Sequence, residues 1–264
     1  MSDIDVKLRD EVPAPQEGYE VVYQRPDSLN DKQFTYCPGC QHGQIHHLIA
    51  EVIDELGIKE RMIGMAPVGC SVFAYEFFDF DFISCAHGRG PAVATGVKRS
   101  VPDSIILNYQ GDGDLASIGA AETVHSANRG ELMTTIFINN GIYGMTGGQM
   151  APTSLEGMVT TTSPRGRDLS LTGTPIRVVE MLSTLGGVAY AARTTAHDTK
   201  GLVKTKKAIK KAFQYQMDGL GYSIVEILSG CAINTRRTPR ASAEWIGESM
   251  NDYFKVGTYK DIKE

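Results

Sequence analysis

Residues 104–113 read SIILNYQGDG and residues 133–140 read MTTIFINN. Each begins as a short, apolar, β-branched run of the kind that forms a buried strand. Each ends in residues that strand interiors avoid: Gly111-Asp112-Gly113 after the first, Asn139-Asn140 after the second. The stretch between them, Asp114 to Asn128, has helical character, so the unit is strand, helix, strand. Such a unit places its two strands parallel, with the helix crossing over one face. Both polar tips then leave the sheet at the same edge. In open α/β sheets ligands bind outside the carboxyl ends of the strands, where these tips would lie.

Working outward, the same alternation continues. Ile45 to Leu56 has apolar residues at helical spacing and stops before Gly57, a good helix terminator. Residues 61–68 and 79–85 read as short strands, and 91–99 as a helix with Pro91 in its first turn. Farther on, 175–185 reads as a helix, 187–192 as a strand, 199–217 as a basic amphipathic helix and 222–228 (YSIVEIL) as the last clear strand. The expected fold class is α/β, a mostly parallel sheet with helices on both faces. Residues 1–33, with Pro13, Pro15 and Pro26 among many charges, read as an N-terminal extension. Residues 34–240 form the main domain, and 241–264 are expected as a C-terminal helical tail.

Composition narrows the class. The chain has 264 residues, 42% hydrophobic and 22% charged, enough for a substantial core. A net charge of −5 argues against bulk nucleic-acid binding. No apolar run is long enough to cross a bilayer, and the charged first residues lack a signal segment, so a cytoplasmic location is expected. The five cysteines (Cys37, Cys40, Cys70, Cys85 and Cys231) are an odd number in such a chain. That favours metal ligation over a disulfide framework.

Two constellations carry chemistry. Asp112 and Asn140 bring a carboxylate and an amide oxygen to neighbouring strand tips. Magnesium takes hard oxygen ligands in an octahedron and readily shares them with phosphates. These two oxygens, the backbone carbonyl of Ile142 and two phosphate oxygens would nearly complete its shell. Gly111 and Gly113 would let the backbone approach a diphosphate, and the helix start that follows adds amide donors. The plainer alternative is a tight strand-to-helix turn that uses Gly-Asp-Gly for its geometry alone. The second constellation is Cys37-Pro-Gly-Cys40, Cys70 and Cys231, each on a loop or just beyond a strand. Four thiolates suit zinc or an iron–sulfur cluster, and C-x-x-C alone also suits thiol–disulfide chemistry. Structural zinc usually takes two close cysteine pairs, whereas here only one pair is close, so the spacing leans toward a cluster without excluding zinc or free thiols.

Gly-Asp-Gly followed one crossover later by Asn-Asn resembles the thiamine diphosphate motif. The segment 139–149 (NNGIYGMTGGQ) looks like the loop that follows it in 2-oxoacid:ferredoxin oxidoreductases. CPGC near the start, Gly69-Cys70-Ser71 after a strand and a distant fourth cysteine match the β-type, thiamine diphosphate-binding subunits of that family. The likeness spans about Phe34 to Asn234.

The resemblance implies a thiamine diphosphate-binding fold in which Asp112, Asn140 and the Ile142 carbonyl hold Mg2+. Gly69, Ser71, Gly111, Gly113, Asp114, Tyr143, Gly144, Met145 and Thr146 would surround the cofactor. Cys37, Cys40, Cys70 and Cys231 would hold a [4Fe-4S] cluster, leaving Cys85 as a buried strand thiol. His87-Gly88-Arg89 resembles the family's motif beside the cofactor, with His87 the candidate catalytic residue. The bland reading is a polar turn. His42, His46 and His47 are better read as packing or surface histidines than as a metal site.

The implied activity is oxidative decarboxylation of a 2-oxoacid to acyl-CoA and CO2, with coenzyme A as co-substrate and ferredoxin as electron acceptor. In the family an activating glutamate comes from the α-type partner subunit, joined in some assemblies by γ- or δ-type subunits. A position where some relatives carry a substrate-recognising lysine is Phe73 here. The aromatic stretch Phe73, Tyr75, Phe77, Phe78 tilts the substrate toward a branched-chain 2-oxoacid over 2-oxoglutarate or pyruvate; plain core packing is the simpler alternative. Arg236, Arg237 and Arg240 could steer an acidic ferredoxin. The lysine run from Lys204 to Lys211 is most simply a solvated helix face. The rival readings are a non-oxidative thiamine diphosphate decarboxylase or synthase, and a zinc-stabilised binding subunit.

Overall fold

A computed structural model describes residues 18–263. Seven strands form one sheet in the order β2-β1-β3-β4-β8-β7-β9. They are β1 (Met62–Ala66), β2 (Asp81–Ser84), β3 (Ile105–Gly111), β4 (Thr134–Asn139), β7 (Val188–Thr195), β8 (Tyr222–Leu228) and β9 (Gly257–Asp261). The first six are parallel, and β9 alone runs antiparallel, against β7. A two-stranded hairpin, β5 (Ile142–Tyr143) with β6 (Gln149–Met150), sits beyond the tip of β4.

Strand residues alternate between the two faces, and each face buries a different set. Ile105, Leu107 and Tyr109 of β3 pack with Ile45, Ile49 and Ile53 of α1 (His42–Leu56), beside the short α2 (Ala74–Phe77). They share that cluster with Ile209 and Phe213 of α7 (Thr199–Met217). On the opposite face Ile106 and Phe137 pack with Ala94 of α3 (Gly90–Ser100), Ala127 of α4 (Ala120–Arg129) and Leu182 of α6 (Val178–Ser183). The α/β architecture with helices on both faces is therefore present. The elements left over are α5 (Leu169–Thr172), α8 (Pro239–Trp245) and α9 (Asn251–Tyr253).

Three expectations need correction. Of the extension 1–33, residues 1–17, with Pro13 and Pro15, lie outside the described residues. The rest is not peripheral: Leu29 is fully buried in the α1 cluster and bridges Phe78, while Ser28 and Asp27 donate backbone N–H groups to Asp54. A single leucine among polar residues has no period to reveal it. The tail 241–264 is helical only as far as Tyr253; Gly257–Asp261 becomes the sheet's edge strand. Finally, the lysine run is not uniformly solvated. Lys206 reaches Glu51 and Glu55 of α1, and Lys210 reaches Glu55. Partly exposed pairs of this kind contribute at most ~1 kcal/mol each. A buried Ile or Phe contributes ~1.5–3 kcal/mol. Apolar contacts therefore hold α7 to α1, and the ion pairs fix its registry.

A charged network lies at the base of the β4 tip. Arg193 of β7, fully buried, donates from Nε to Glu226 of β8 (2.9 Å) and from Nη1 to Glu180 (2.8 Å). The other oxygen of Glu226 accepts from Asn139 Nδ2 at 2.7 Å, immediately before Asn140. Nη1 also meets the Tyr259 hydroxyl (2.9 Å), so the C-terminal strand is fastened to the same network. Breaking a buried pair leaves an uncompensated charge. Arg193→Ala should therefore cost ~3–5 kcal/mol in chemical denaturation, far more than any exposed lysine of α7. A loss below ~1 kcal/mol would show that the network is not holding this edge together.

Candidate functional site

Strands β1, β3, β4 and β8 are consecutive across the sheet and all parallel, so their carboxyl ends lie side by side. Cys70 follows β1, Gly111-Asp112-Gly113 ends β3, Asn140 follows β4, and Cys231 follows β8. Residues far apart in sequence meet because parallel strands deliver them to one edge.

Asp112 is 3% exposed. Its Oδ1 accepts from Gly113 N (2.9 Å), and its Oδ2 accepts from Ile142 N (3.1 Å) and Thr153 Oγ1 (3.0 Å). Asn140 Oδ1 accepts from the same Ile142 N–H at 3.2 Å, so the two candidate ligand oxygens converge on one point. Burial pushes the Asp112 carboxyl up to about 6, although the hydrogen bonds from Thr153 and the backbone pull it the other way. A divalent cation beside it would reverse that balance and hold the carboxylate ionised.

These residues line a cavity of ≈ 140 Å³. Of the residues expected around the cofactor, only Gly88 and Arg89 do not reach it. Sites that enclose a whole drug-sized ligand run to ~300–1,000 Å³. This one has room for the diphosphate end of the cofactor, not for all of it. Ser71, 1% exposed, lines the cavity with a buried hydroxyl that has no partner among the described residues. A buried unsatisfied donor calls for an explanation, and a phosphate oxygen supplies one. Open space over Gly111 fits the same group, because a Cβ there would meet nothing within 4 Å.

Gly113 is tighter: a Cβ would lie 2.5 Å from Cε1 of Tyr143, which also lines the cavity. Its φ of −65° suits alanine, so only the ring stands in the way. Gly113→Ala should push Tyr143 into the cavity and weaken thiamine diphosphate binding roughly tenfold or more, in line with the ~1–3 kcal/mol that overpacking costs. The thermal midpoint should fall by only a few degrees. Calorimetric titration with unchanged affinity would contradict this placement of Tyr143.

His87 and Asp114 form a second group. Asp114, 2% exposed, accepts from Gly88 N (2.7 Å) and Gln110 Nε2, and contacts His87 Nδ1 at 2.6 Å. It opens a wide π-type turn, Asp114–Ile118, of a kind frequent at functional sites. Burial raises the Asp114 carboxyl, against the pull of Gln110, Gly88 and His87. Held through Nδ1, the His87 ring has Nε2 left for a ligand. Arg89 instead pairs with Glu122 of α4, so the structure places it on the adjacent helix and away from the cavity.

The cysteines come together from three directions. In the C-x-x-C loop Cys40 N donates to Cys37 O at 3.2 Å. Gly39 there has φ +86°, and a Cβ would press within 2.7 Å of the Pro239 backbone, so only glycine fits. Gln41 Oε1 accepts from Gly230 N (2.9 Å), and Ser229 Oγ donates to Cys40 O (3.0 Å), tying this loop to the tip of β8. At the other side, a Cβ on Gly144 would lie 3.4 Å from Cys231 Sγ and 3.7 Å from Cys70 Sγ. Burial raises the Cys70 thiol to about 12 and the Cys40 thiol to about 11, and the neighbouring sulfurs push further in the same direction. Two half-buried thiols whose ionised forms are opposed by burial and by neighbouring sulfurs suit a cationic iron centre. Among the described residues no three His, Cys, Asp or Glu side chains converge closely enough to hold a single metal ion. A cube of iron and sulfide needs its four thiolates farther apart than one ion does. Cys85 stands away from the group, buried one residue beyond β2 and not within a strand as expected, with its thiol on Ile83 O.

Several participants carry no sequence signal. Thr153, wholly buried against Asp112, lies in an irregular segment with no motif. His42 packs as expected, with Nδ1 on the Tyr109 hydroxyl at 2.7 Å, yet it also lines the cofactor cavity. His46 meets the Tyr36 hydroxyl (2.9 Å), and His47 stacks on Tyr23. Of the aromatic stretch Phe77 and Phe78 are buried in the core, Phe73 is half-buried and Tyr75 is exposed, and none of the rings lines the cavity, so the stretch itself carries no argument for a branched-chain substrate. Of the arginine run, Arg237 lies over the Trp245 ring and Arg240 pairs with Glu244, so two of the three are engaged within the chain.

The fold and this edge define a thiamine pyrophosphate enzyme, and residues 67–227 match the family described as "Thiamine pyrophosphate enzyme, C-terminal TPP binding domain". More narrowly, the chain belongs to the thiamine pyrophosphate-binding subunits of the 2-oxoacid:ferredoxin oxidoreductase family. It is 34% identical to the 2-oxoglutarate synthase subunit KorB of Methanocaldococcus jannaschii, across 92% of each chain. It is 46% identical, over 91% of its own length, to the ketoisovalerate oxidoreductase subunit VorA of Methanothermobacter thermautotrophicus. It spans about half of that relative, 52%. A 2-oxoglutarate:ferredoxin oxidoreductase from Magnetococcus marinus, solved with 2-oxoglutarate, coenzyme A and succinyl-CoA, superposes with a TM-score of 0.72 at 28% identity. That match covers 92% of this chain and 87% of the other.

Proposed function

We propose that this chain is the cofactor-binding β-type subunit of a 2-oxoacid:ferredoxin oxidoreductase. The complex converts a 2-oxoacid, coenzyme A and two oxidised one-electron carriers to acyl-CoA, CO2, a proton and two reduced carriers, the electrons passing through one [4Fe-4S] cluster. The observation that supports this best is the meeting of the Asp112–Asn140 pair and the cysteines along four adjacent strand tips, with Gly144 lining the Asp112–Asn140 cavity and standing beside Cys231 and Cys70. A lone zinc ion fits less well, because no three ligands converge among the described residues.

When bound, thiamine diphosphate supplies the carbanion chemistry that decarboxylates 2-oxoacids, and the cluster supplies one-electron steps. The chain's own residues supply placement. Asp112, Asn140 and the Ile142 carbonyl would hold Mg2+, with Thr153 orienting the carboxylate. Gly111 and Ser71 would receive the diphosphate. Asp114 fixes the His87 ring. Cys37, Cys40, Cys70 and Cys231 would hold the cluster.

No glutamate lines the cavity among the described residues, and the cavity is smaller than the whole cofactor. Both facts support an α-type partner that completes the site and brings the activating glutamate. Cys37 is exposed, and a groove of ≈ 850 Å³ opens beside Cys37 and Cys40, which gives ferredoxin a short approach to the cluster. Among the described residues no helix is long and apolar enough to cross a membrane. We place the complex in the cytoplasm.

The relative at 46% identity supports a branched-chain 2-oxoacid as substrate. The test is anaerobic isolation with partner subunits, followed by cluster reduction under a panel of 2-oxoacids with coenzyme A. Reduction should be fastest with 2-oxoisovalerate and negligible for the chain alone. Release of aldehyde without cluster reduction would favour a non-oxidative thiamine enzyme.

A further inference from the structure

We propose that Asn234 sets the reduction potential of the cluster held by Cys37, Cys40, Cys70 and Cys231, and ties that cluster to the cofactor loop. This inference rests on the reading of the four cysteines as an iron–sulfur site. It assigns a positioning and tuning role to a residue outside both ligand sets.

The geometry is specific. Asn234 Nδ2 donates to Cys231 Sγ at 3.3 Å and to Gly144 O at 2.8 Å. A primary amide nitrogen carries two hydrogens, and both are committed here, one to a cluster sulfur and one to the loop over the diphosphate cavity. The orientation is fixed by the partners: turned over, the amide oxygen would face a sulfur and a carbonyl, both acceptors.

The surrounding backbone is built to hold this side chain. Thr235 N donates to Cys231 O (3.1 Å) and Arg237 N to Ala232 O (2.9 Å), closing a tight turn directly after the cysteine. Across from it, Gly148 at φ +87° would bring a Cβ within 3.0 Å of Asn234 Cβ, so the cofactor loop folds closely around the asparagine. Gly144 approaches Cys231 and Cys70 for the same reason, because a side chain there would crowd both sulfurs.

The physical consequence has a sign. Hydrogen bonds to cluster sulfurs are among the levers that set reduction potential. The reduced cluster carries one more negative charge, and an N–H aimed at sulfur stabilises it more than the oxidised form. Removing the donor must therefore make the cluster harder to reduce. Removing the contact with Gly144 must also loosen the loop that lines the cofactor cavity.

The experiment is an EPR-monitored potentiometric titration of the anaerobically isolated complex, wild type against Asn234→Ala and Asn234→Gln, with iron content measured in each. Asn234→Ala should keep its iron and titrate at a more negative midpoint, with weaker thiamine diphosphate binding. Asn234→Gln, which keeps an amide donor, should lie between it and wild type. An Asn234→Ala protein with full iron and an unchanged midpoint overturns the inference. Loss of iron from both variants also overturns it, since Asn234 would then be needed merely to assemble the site. A wild-type complex without a cluster would defeat the functional reading itself, a result distinct from either.

Discussion

Asp112→Asn is expected to abolish magnesium-dependent thiamine diphosphate binding while leaving the fold intact. The side chain is nearly isosteric, so Thr153 and the amides of Gly113 and Ile142 keep a neighbour of the same shape. What is lost is the negative charge that a divalent ion needs, together with one acceptor, because the new NH2 group faces either the Gly113 amide or the Ile142 amide and Thr153 hydroxyl. Losing even an outer-shell partner of a metal ligand costs roughly 10–100-fold in affinity. Losing the anionic ligand should exceed that, raising the dissociation constant by more than about 100-fold. The apo protein should lose only the ~1–3 kcal/mol of one unmet buried donor, because burial opposes the ionised carboxyl there. Calorimetric titration beside a thermal melt separates the outcomes. An affinity within a few fold of wild type would remove Asp112 from the metal site. A collapsed melt would make its role structural.

The second large effect concerns the cysteines. Cys70→Ser and Cys231→Ser should each yield a folded protein that has lost most of its iron and the brown visible absorption, when prepared without oxygen. Both sulfurs face Gly144, and the cofactor loop closes over them. A serine oxygen is a poor ligand for iron in such a cluster, which is held by thiolates. Cys85→Ser is the control: that thiol is buried just beyond β2 and is no neighbour of the other four, so iron content should stay at the wild-type level. Equal iron in all three variants would dissolve the assignment of ligands.

How much of this could be read from residues alone varies with the type of signal. Strands β3, β4 and β8 were legible because buried strands are short, apolar and β-branched, and SIILNYQ, MTTIFIN and YSIVEIL carry no competing pattern. The site was legible where a motif ends a strand, as at Gly111–Gly113 and Asn139-Asn140. Strand β9 was not, since residues 257–261 (GTYKD) are polar and half exposed, and their partner is a distant strand. Glu226 stands as an acid inside an apolar strand, but only the structure shows that Arg193 and Asn139 absorb it. Thr153 meets Asp112 and Asn234 meets Gly144 across the fold, contacts that leave no local trace. The aromatic run at residues 73–78 was the reverse case, a conspicuous pattern of which Phe77 and Phe78 serve packing and Tyr75 is exposed.

One measurement bears most directly on the whole account: anomalous diffraction at the iron edge from crystals of the anaerobically prepared complex. The expected map shows a compact group of iron peaks bounded by Cys37, Cys40, Cys70 and Cys231, against Gly144 and one loop away from Asp112. Peaks at the zinc edge in that position, or an iron group bounded by other residues with Cys231 outside it, would contradict it.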